Sequence, residues 1–273
     1  MSSPIVVNSL RKVYKRYLRE PGIKGILRGI FAREYIEVEA LRGISFEISS
    51  GEFVGYIGPN GAGKTTIFNL ISGIYKPTSG EIFFNKIKID NLPPYRIAQL
   101  GIARLYQDIR VFRKLTVLEN ILVAFPDREG ENFLDGILKR KKDLDFQKQQ
   151  IEKAKEYINF VGLDGYENQL AENLSYGQQK LLAIARLMAT DAELLLLDEP
   201  ASGIHPELIN KISNLILDLK EKGKTIIFIE HNINVVLNIA DWVYLFDEGK
   251  VVAFGLPDEI VYDKTTREVY LGV

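Results

Sequence analysis

The chain has 273 residues, no cysteine, and a formal net charge of -1, with 35 Lys and Arg against 36 Asp and Glu. That length builds one large α/β domain with a subdomain, or two modest ones. Balanced charge speaks against a nucleic-acid partner, and the missing cysteines exclude disulfides, thiolate catalysis and cysteine-based zinc sites. A reducing compartment such as the cytoplasm fits. No apolar run approaches the roughly 20 residues that span a bilayer. Met1-Ser2-Ser3-Pro4-Ile5-Val6-Val7 lacks the basic-then-apolar pattern of a secretory signal. Membrane association is therefore expected to come through partners.

Ile5 to Val7 and Leu41 to Ile48 read as short strands. Between them, Arg19-Glu20-Pro21-Gly22 leads into Ile23, Ile26, Leu27, Ile30 and Phe31 at helical spacing, with Lys24, Arg28 and Arg33 interspersed. This amphipathic segment either docks on the protein's own surface or touches lipid headgroups or a membrane subunit; Gly25 and Gly29 weaken it as a helix.

Glu52 to Ile57 is a mostly apolar strand that runs into Gly58-Pro59-Asn60-Gly61-Ala62-Gly63-Lys64-Thr65, and a helix from Thr65 to Ile71 closes near Ser72-Gly73. Strand, glycine loop and helix are the context of a phosphate-binding P-loop. Its glycines let backbone N–H groups face phosphate oxygens, Lys64 supplies a point charge near the β- and γ-phosphates, and the Thr65 hydroxyl is placed for Mg²⁺. Thr66 extends the phosphate-binding run.

Gln107 precedes a change of character: to Leu174 no buried parallel strand is evident, and Ile151, Ala154, Tyr157, Ile158 and Val161 trace one helix face. We read residues 108–175 as an inserted helical subdomain. Lys139-Arg140-Lys141-Lys142 within it reads as a solvated helix end rather than a partner patch.

Leu174-Ser175-Tyr176-Gly177-Gln178-Gln179 then opens a helix from Gln178 to Met188. Ser175 and Gly177 offer a hydroxyl, backbone N–H groups and a helix N-terminus to an anion, while Ser175 also reads as an N-cap with Gln178 closing a capping box. The P-loop already supplies one cradle, so a second one asks for a nucleotide held by another subunit.

Leu194 to Leu197 and Thr225 to Ile229 are continuous apolar strands suited to a parallel sheet covered on both faces. Asp198 ends the first at the carboxyl edge, where it is the expected Mg²⁺ partner. Glu199 is placed to polarise the water that attacks the γ-phosphate. His231 ends the second strand and is read as contacting the γ-phosphate or its water, and Gln107 as sensing Mg²⁺ or that water. Pro206 opens a helix with Leu208, Ile209, Ile212, Leu215, Ile216 and Leu219 on its core face. Trp242 to Phe246 and Val251 to Phe254 flank Asp247-Glu248-Gly249-Lys250 as a hairpin, and 256–273 is read as a helical tail.

The ordered set from Gly58 through Gln107, Ser175 to Gln178, Asp198, Glu199 and His231 resembles the ATP-binding subunit of ABC transporters over nearly the whole chain. The resemblance implies an α/β, RecA-like P-loop core over 5–255 with a mostly parallel sheet, an N-terminal antiparallel β subdomain and the helical insertion. It implies ATP and Mg²⁺ as ligands, and a second ATPase subunit, identical or paralogous, so that two chains sandwich two ATP molecules head to tail. Two membrane-spanning permease subunits, met by the helical subdomain near Gln107, are implied too, with an extracytoplasmic solute-binding protein as a possible further partner. The chain would then lie on the cytoplasmic face of the membrane.

Lys64-Thr65-Thr66-Ile67-Phe68-Asn69, Thr116 to Ala124, Ile229-Glu230-His231 and Tyr270-Leu271-Gly272-Val273 look most like the branched-chain amino acid importer subfamily. The insertion between Tyr14 and Tyr35 resembles an export branch instead, which leaves an exporter ATPase, or a soluble non-transport ABC ATPase, as alternatives. Tyr176 stands where the family usually has glycine, and His205 where it more often has Asp. The family stacks adenine on an aromatic residue of the first loop, for which Tyr14 is preferred over Tyr35.

Overall fold

The computed structural model describes residues 4–17, 35–126, 140–230 and 232–271. The amphipathic segment read between Arg19 and Phe31, Lys139 and His231 lie outside the described residues.

In chain order the elements are β1 (Ile5–Tyr17), β2 (Tyr35–Ile48), β3 (Phe53–Ile57), α1 (Lys64–Ile71), β4 (Ser79–Phe84), β5 (Ile87–Lys88), α2 (Pro94–Gln99), β6 (Ile102–Leu105), α3 (Val117–Leu122) and α4 (Arg140–Val161). A 3-10 turn (Ala171–Asn173) then leads to α5 (Tyr176–Ala189), β7 (Leu194–Asp198), α6 (Pro206–Glu221), β8 (Thr225–Ile229), α7 (Ile233–Ile239), β9 (Trp242–Asp247), β10 (Lys250–Gly255), α8 (Pro257–Tyr262) and α9 (Lys264–Leu271). They form two compact units, one of residues up to 49, 56–93 and from 242 onward, the other of 50–55 and 94–241.

In the first unit β1 pairs antiparallel with β2, from Ile5 opposite Ile48 to Tyr17 opposite Tyr35, and its other edge takes β4. Both strands are longer than the apolar pattern predicts. The pattern marks only the inner end, where Ile5, Val7, Leu41, Ile44, Phe46 and Ile48 are buried; Tyr35 to Val38 are exposed and leave no hydrophobic signal. β9 and β10 form the predicted hairpin, with Lys250 opposite Asp247. Tyr56 sits at the centre of an aromatic cluster, with ring centroids of Phe46, Phe68, Tyr244 and Phe246 within 4.8 to 6.1 Å. The Tyr56 hydroxyl finds no hydrogen-bond partner among the described residues. Burial holds this phenol well above its ordinary pKa, with Tyr244 adding to the effect.

In the second unit β7 lies between β6 and β8, parallel to both, with Leu194 opposite Ile102 on one side and Thr225 on the other. Every residue of β7 and β8 is buried, as a sheet covered on both faces requires. Each leucine of Leu194 to Leu197 so buried stabilises by about 1.5–3 kcal/mol. β6 was not legible in the sequence: four residues that mix Ile102 and Leu105 with Ala103 and Arg104 show neither alternation nor a continuous apolar run. α4 turns Ala154, Ile158 and Val161 inward at i, i+4 and i+7, and α6 buries Ile212, Leu215, Ile216 and Leu219. Pro206 occupies the first turn of α6, where its missing N–H costs nothing.

Because the Tyr56 hydroxyl is buried with no partner among the described residues, Tyr56→Phe is expected to raise unfolding stability by about 1 kcal/mol. Urea denaturation of the two proteins measures it; a loss of stability would show that the hydroxyl is satisfied.

Candidate active site

The glycine loop joins β3 to α1 in the first unit. Gly58 has φ +137, and a Cβ added there would lie 2.0 Å from the Phe246 carbonyl oxygen, so strand β9 leaves room for glycine alone. Gly249 N–H donates to Ala62 O (3.1 Å) and Ala62 N–H to Pro59 O (3.2 Å), which pins the loop from outside and from within. Gly63 caps α1 in a left-handed conformation and, as a glycine, makes no side-chain cap hydrogen bond. Lys64 is buried, and its Nζ donates to Gly58 O (2.7 Å) and Pro59 O (2.9 Å), which folds the side chain back over the loop. Thr65, on the first turn, is exposed. A curled loop with an internal ammonium group and a helix N-terminus can cradle a phosphate.

Beside it, the half-buried Tyr14 is hydrogen-bonded through its side chain to Thr66 of α1 and meets Tyr75 edge-on at 5.6 Å. Burial raises the Tyr14 phenol pKa above its ordinary value. Tyr35 lies at the far end of the β1–β2 pair, opposite Tyr17, exposed and with Lys15 Nζ 4.4 Å from its ring centre. Of the two aromatic candidates, Tyr14 is the one that touches the helix of the glycine loop.

In the second unit the leucine strand delivers Asp198 and Glu199 to the carboxyl edge of the sheet. Arg104 on β6 is opposite Leu196, and side chains two apart on a strand share a face, so Arg104 and Asp198 lie on the same side. The Arg104 guanidinium donates to Asp198 Oδ2 at 2.7 Å, with both side chains about 5% exposed.

Glu199 has φ +49, a left-handed conformation that a residue with a side chain seldom takes and that costs about 1–3 kcal/mol. Several bonds hold it there. Glu199 N–H donates to Ile229 O at the end of β8 (3.0 Å), and Ser202 Oγ donates to Glu199 O (3.0 Å). Lys180 Nζ donates to that same oxygen at 3.1 Å, and Ala201 N–H donates to the buried Glu230 (2.9 Å). The Glu199 carboxylate accepts from Gln107 Nε2 at 2.8 Å. Gln107 and Glu199, 92 residues apart in the chain, are thus brought together. His205 caps α6 only through its backbone position; its ring is exposed, 4.0 Å from Glu207.

The Ser175 segment opens α5 through a reciprocal capping box. Gln178 N–H donates to Ser175 Oγ (3.3 Å) and Ser175 N–H to Gln178 Oε1 (2.9 Å). A Cβ on Gly177 would stand 2.5 Å from Leu208 Cδ2, so the first turn packs directly on α6; Tyr176 points outward, about half exposed.

Arg104, Lys180 and Glu230 are given no site role by the sequence. Lys180 had a signal: α5 is buried almost all round, and a lysine inside such a helix demands a buried partner. Arg104 and Glu230 border strand ends and carry none.

A glycine cradle on one strand and paired carboxylates ending another define a P-loop nucleotide-binding α/β protein. Comparison with known proteins narrows this. The family model for ABC transporters matches residues 41–202. The branched-chain amino acid transport ATP-binding protein LivG of Salmonella typhimurium is 39% identical over 234 residues, 85% of this chain and 92% of its own length. A probable LivG of Archaeoglobus fulgidus is 38% identical, covering 86% and 90%. A nucleotide-free ATP-binding cassette from an ABC transporter superposes over the full length of both chains with a TM-score of 0.77 and 30% identity. A cassette in its ADP conformation does so at 0.76 and 29%. The chain belongs to the ABC transporter family and is its ATP-hydrolysing, nucleotide-binding component. Among the described residues, no helix is long and apolar enough to cross a membrane.

Removing the Arg104 charge leaves Asp198 buried beside no cation from that strand, so Arg104→Met is expected to cost about 3 kcal/mol of stability. Adding Asp198→Asn should restore more than half of it. A double-mutant cycle of urea unfolding measures both, and additive losses would show that the pair is not coupled.

Proposed function

We propose that the chain powers a membrane importer of branched-chain amino acids by hydrolysing ATP in a head-to-tail dimer. The identity to branched-chain amino acid transport ATP-binding proteins, 35–39% over nine-tenths of their length, carries the cargo. The contact between Gln107 and the Glu199 carboxylate carries the mechanism. Two permease subunits and a solute-binding protein complete the transporter, and this chain sits at the cytoplasmic face.

The loop fits a nucleotide, because Gly58 and Gly63 leave no room for a side chain and Lys64 is curled over it. In this reading Gly58 to Thr66 hold the phosphates and Tyr14 faces the adenine. Thr65, Asp198 and the Gln107 amide each carry an oxygen of the kind a hard cation takes, and Mg²⁺, in the role read from the sequence, would neutralise charge on the phosphates.

Glu199 takes a proton from water as the water oxygen bonds to the γ-phosphorus. The bond to the β–γ bridging oxygen breaks, its electron pair leaves with ADP, and inorganic phosphate results. Gln107 aims the Glu199 carboxylate, and His231, in the role read from the sequence, donates a hydrogen bond to the γ-phosphate or the water. Ser175, Tyr176, Gly177 and Gln178 close over the γ-phosphate of the nucleotide bound by the partner subunit.

Glu199→Gln is expected to lower kcat for ATP hydrolysis by about a hundredfold or more while ATP still drives dimer formation in light scattering. Steady turnover by this variant would remove Glu199 as the base. For the cargo, deleting the chain from its native cells should abolish most high-affinity uptake of radiolabelled leucine, isoleucine and valine. Undiminished uptake of all three would overturn the cargo while leaving the ATPase intact.

A further inference from the structure

Lys180 is a buried ammonium group that the hydrolysis scheme leaves unused. It lies on α5, five residues after Ser175, or about 7.5 Å along the helix axis. Its side chain is 2% exposed, among the largest fully buried in the described chain. Taking an ammonium group out of water is costly unless its donors are satisfied, and Lys180 reaches three acceptors: Ser202 O (2.5 Å), Glu199 O (3.1 Å) and Ser202 Oγ (3.3 Å). All belong to the turn that contains Glu199. Ser202 N–H donates to Glu199 O at 3.2 Å and Ser202 Oγ to it at 3.0 Å, so the turn closes on itself and Lys180 fastens it to α5. Burial lowers the Lys180 pKa, while Glu230 and Glu199 pull it back up.

We propose that Lys180 is a positioning residue: it clamps the Glu199–Ser202 turn to helix α5, and so sets the Glu199 carboxylate according to the placement of the Ser175 end of that helix. The inference rests on the reading of Glu199 as the base. A helix is stiff over five residues, so a shift of its N-terminus is delivered to Glu199 in the same chain. Each subunit would thereby sense, through its own α5, the nucleotide that its Ser175 end meets on the partner, and the two hydrolysis sites would fire together.

The test uses the purified full-length chain, with kcat, KM and Hill coefficient for ATP as readouts. Lys180→Met and Lys180→Gln remove the clamp and should lower kcat by about ten- to a hundredfold, since a misplacement of about 1 Å costs on that order, with KM within about threefold and the Hill coefficient falling towards one. Lys180→Arg still donates to the carbonyls and should recover kcat to within about fivefold. Ser202→Ala deletes only a half-buried hydroxyl, so it carries the test if the Lys180 variants fail to fold; about a threefold loss of kcat at unchanged KM is expected.

Unchanged kcat in Lys180→Met and Lys180→Gln, or in Ser202→Ala, would overturn the proposal. So would an Arg variant as impaired as the Met variant, which would mark a packing role. A wild-type chain with no ATP hydrolysis, or a Glu199→Gln variant that still turns over, would instead remove the reading beneath it.

Discussion

Strand β7 carries the chain through four buried leucines and releases it into two carboxylates, and much of the surrounding unit answers what those carboxylates need. A carboxylate at the edge of an apolar sheet is stable only beside a counter-charge or donors. Asp198 receives the Arg104 guanidinium from the neighbouring strand. Glu199 receives a backbone conformation that side chains avoid, held by β8, by Glu230 through Ala201, and by Lys180 from the helix behind. The left-handed turn is the step that separates the two side chains: Asp198 stays in the sheet, and Glu199 swings out to Gln107.

The glycine loop solves the opposite problem. A loop that is to hold a phosphate must present donors rather than bury acceptors, and at Gly58 and Gly63 this one has no room for a side chain. The Phe246 carbonyl stands where a Cβ of residue 58 would be, and the loop is tied down through Ala62 to Gly249. Such anchoring means that little order would have to be created for a phosphate to bind.

The elements the sequence revealed were those whose residues all obey one pattern. Leu194 to Leu197, Thr225 to Ile229, the inward face of α4 and the strand–loop–helix of the glycine cradle are of this kind. Residues 35–40 were illegible as strand because an exposed ribbon needs no apolar face, and β6 because it is short and carries Arg104 among its apolar residues. At the site, Ser175 and Glu199 were singled out by motif spacing, and Gln107 by its place before the helical insertion. Arg104, Lys180 and Glu230 were not, because a buried charge is specified by its partner, and partners 19 to 94 residues away leave no local trace. Only Lys180, a charge inside an otherwise buried helix, announced that a partner had to exist.

The capping box at Ser175 has a thermodynamic corollary. An anion that approaches the start of α5 finds the Ser175 and Gln178 N–H groups already engaged by side chains of the same two residues. Binding there exchanges one set of acceptors for another, so its net gain is reduced by about the 1 kcal/mol that a cap contributes. An anion held at this helix end would therefore have to displace the cap before it gained the same N–H groups.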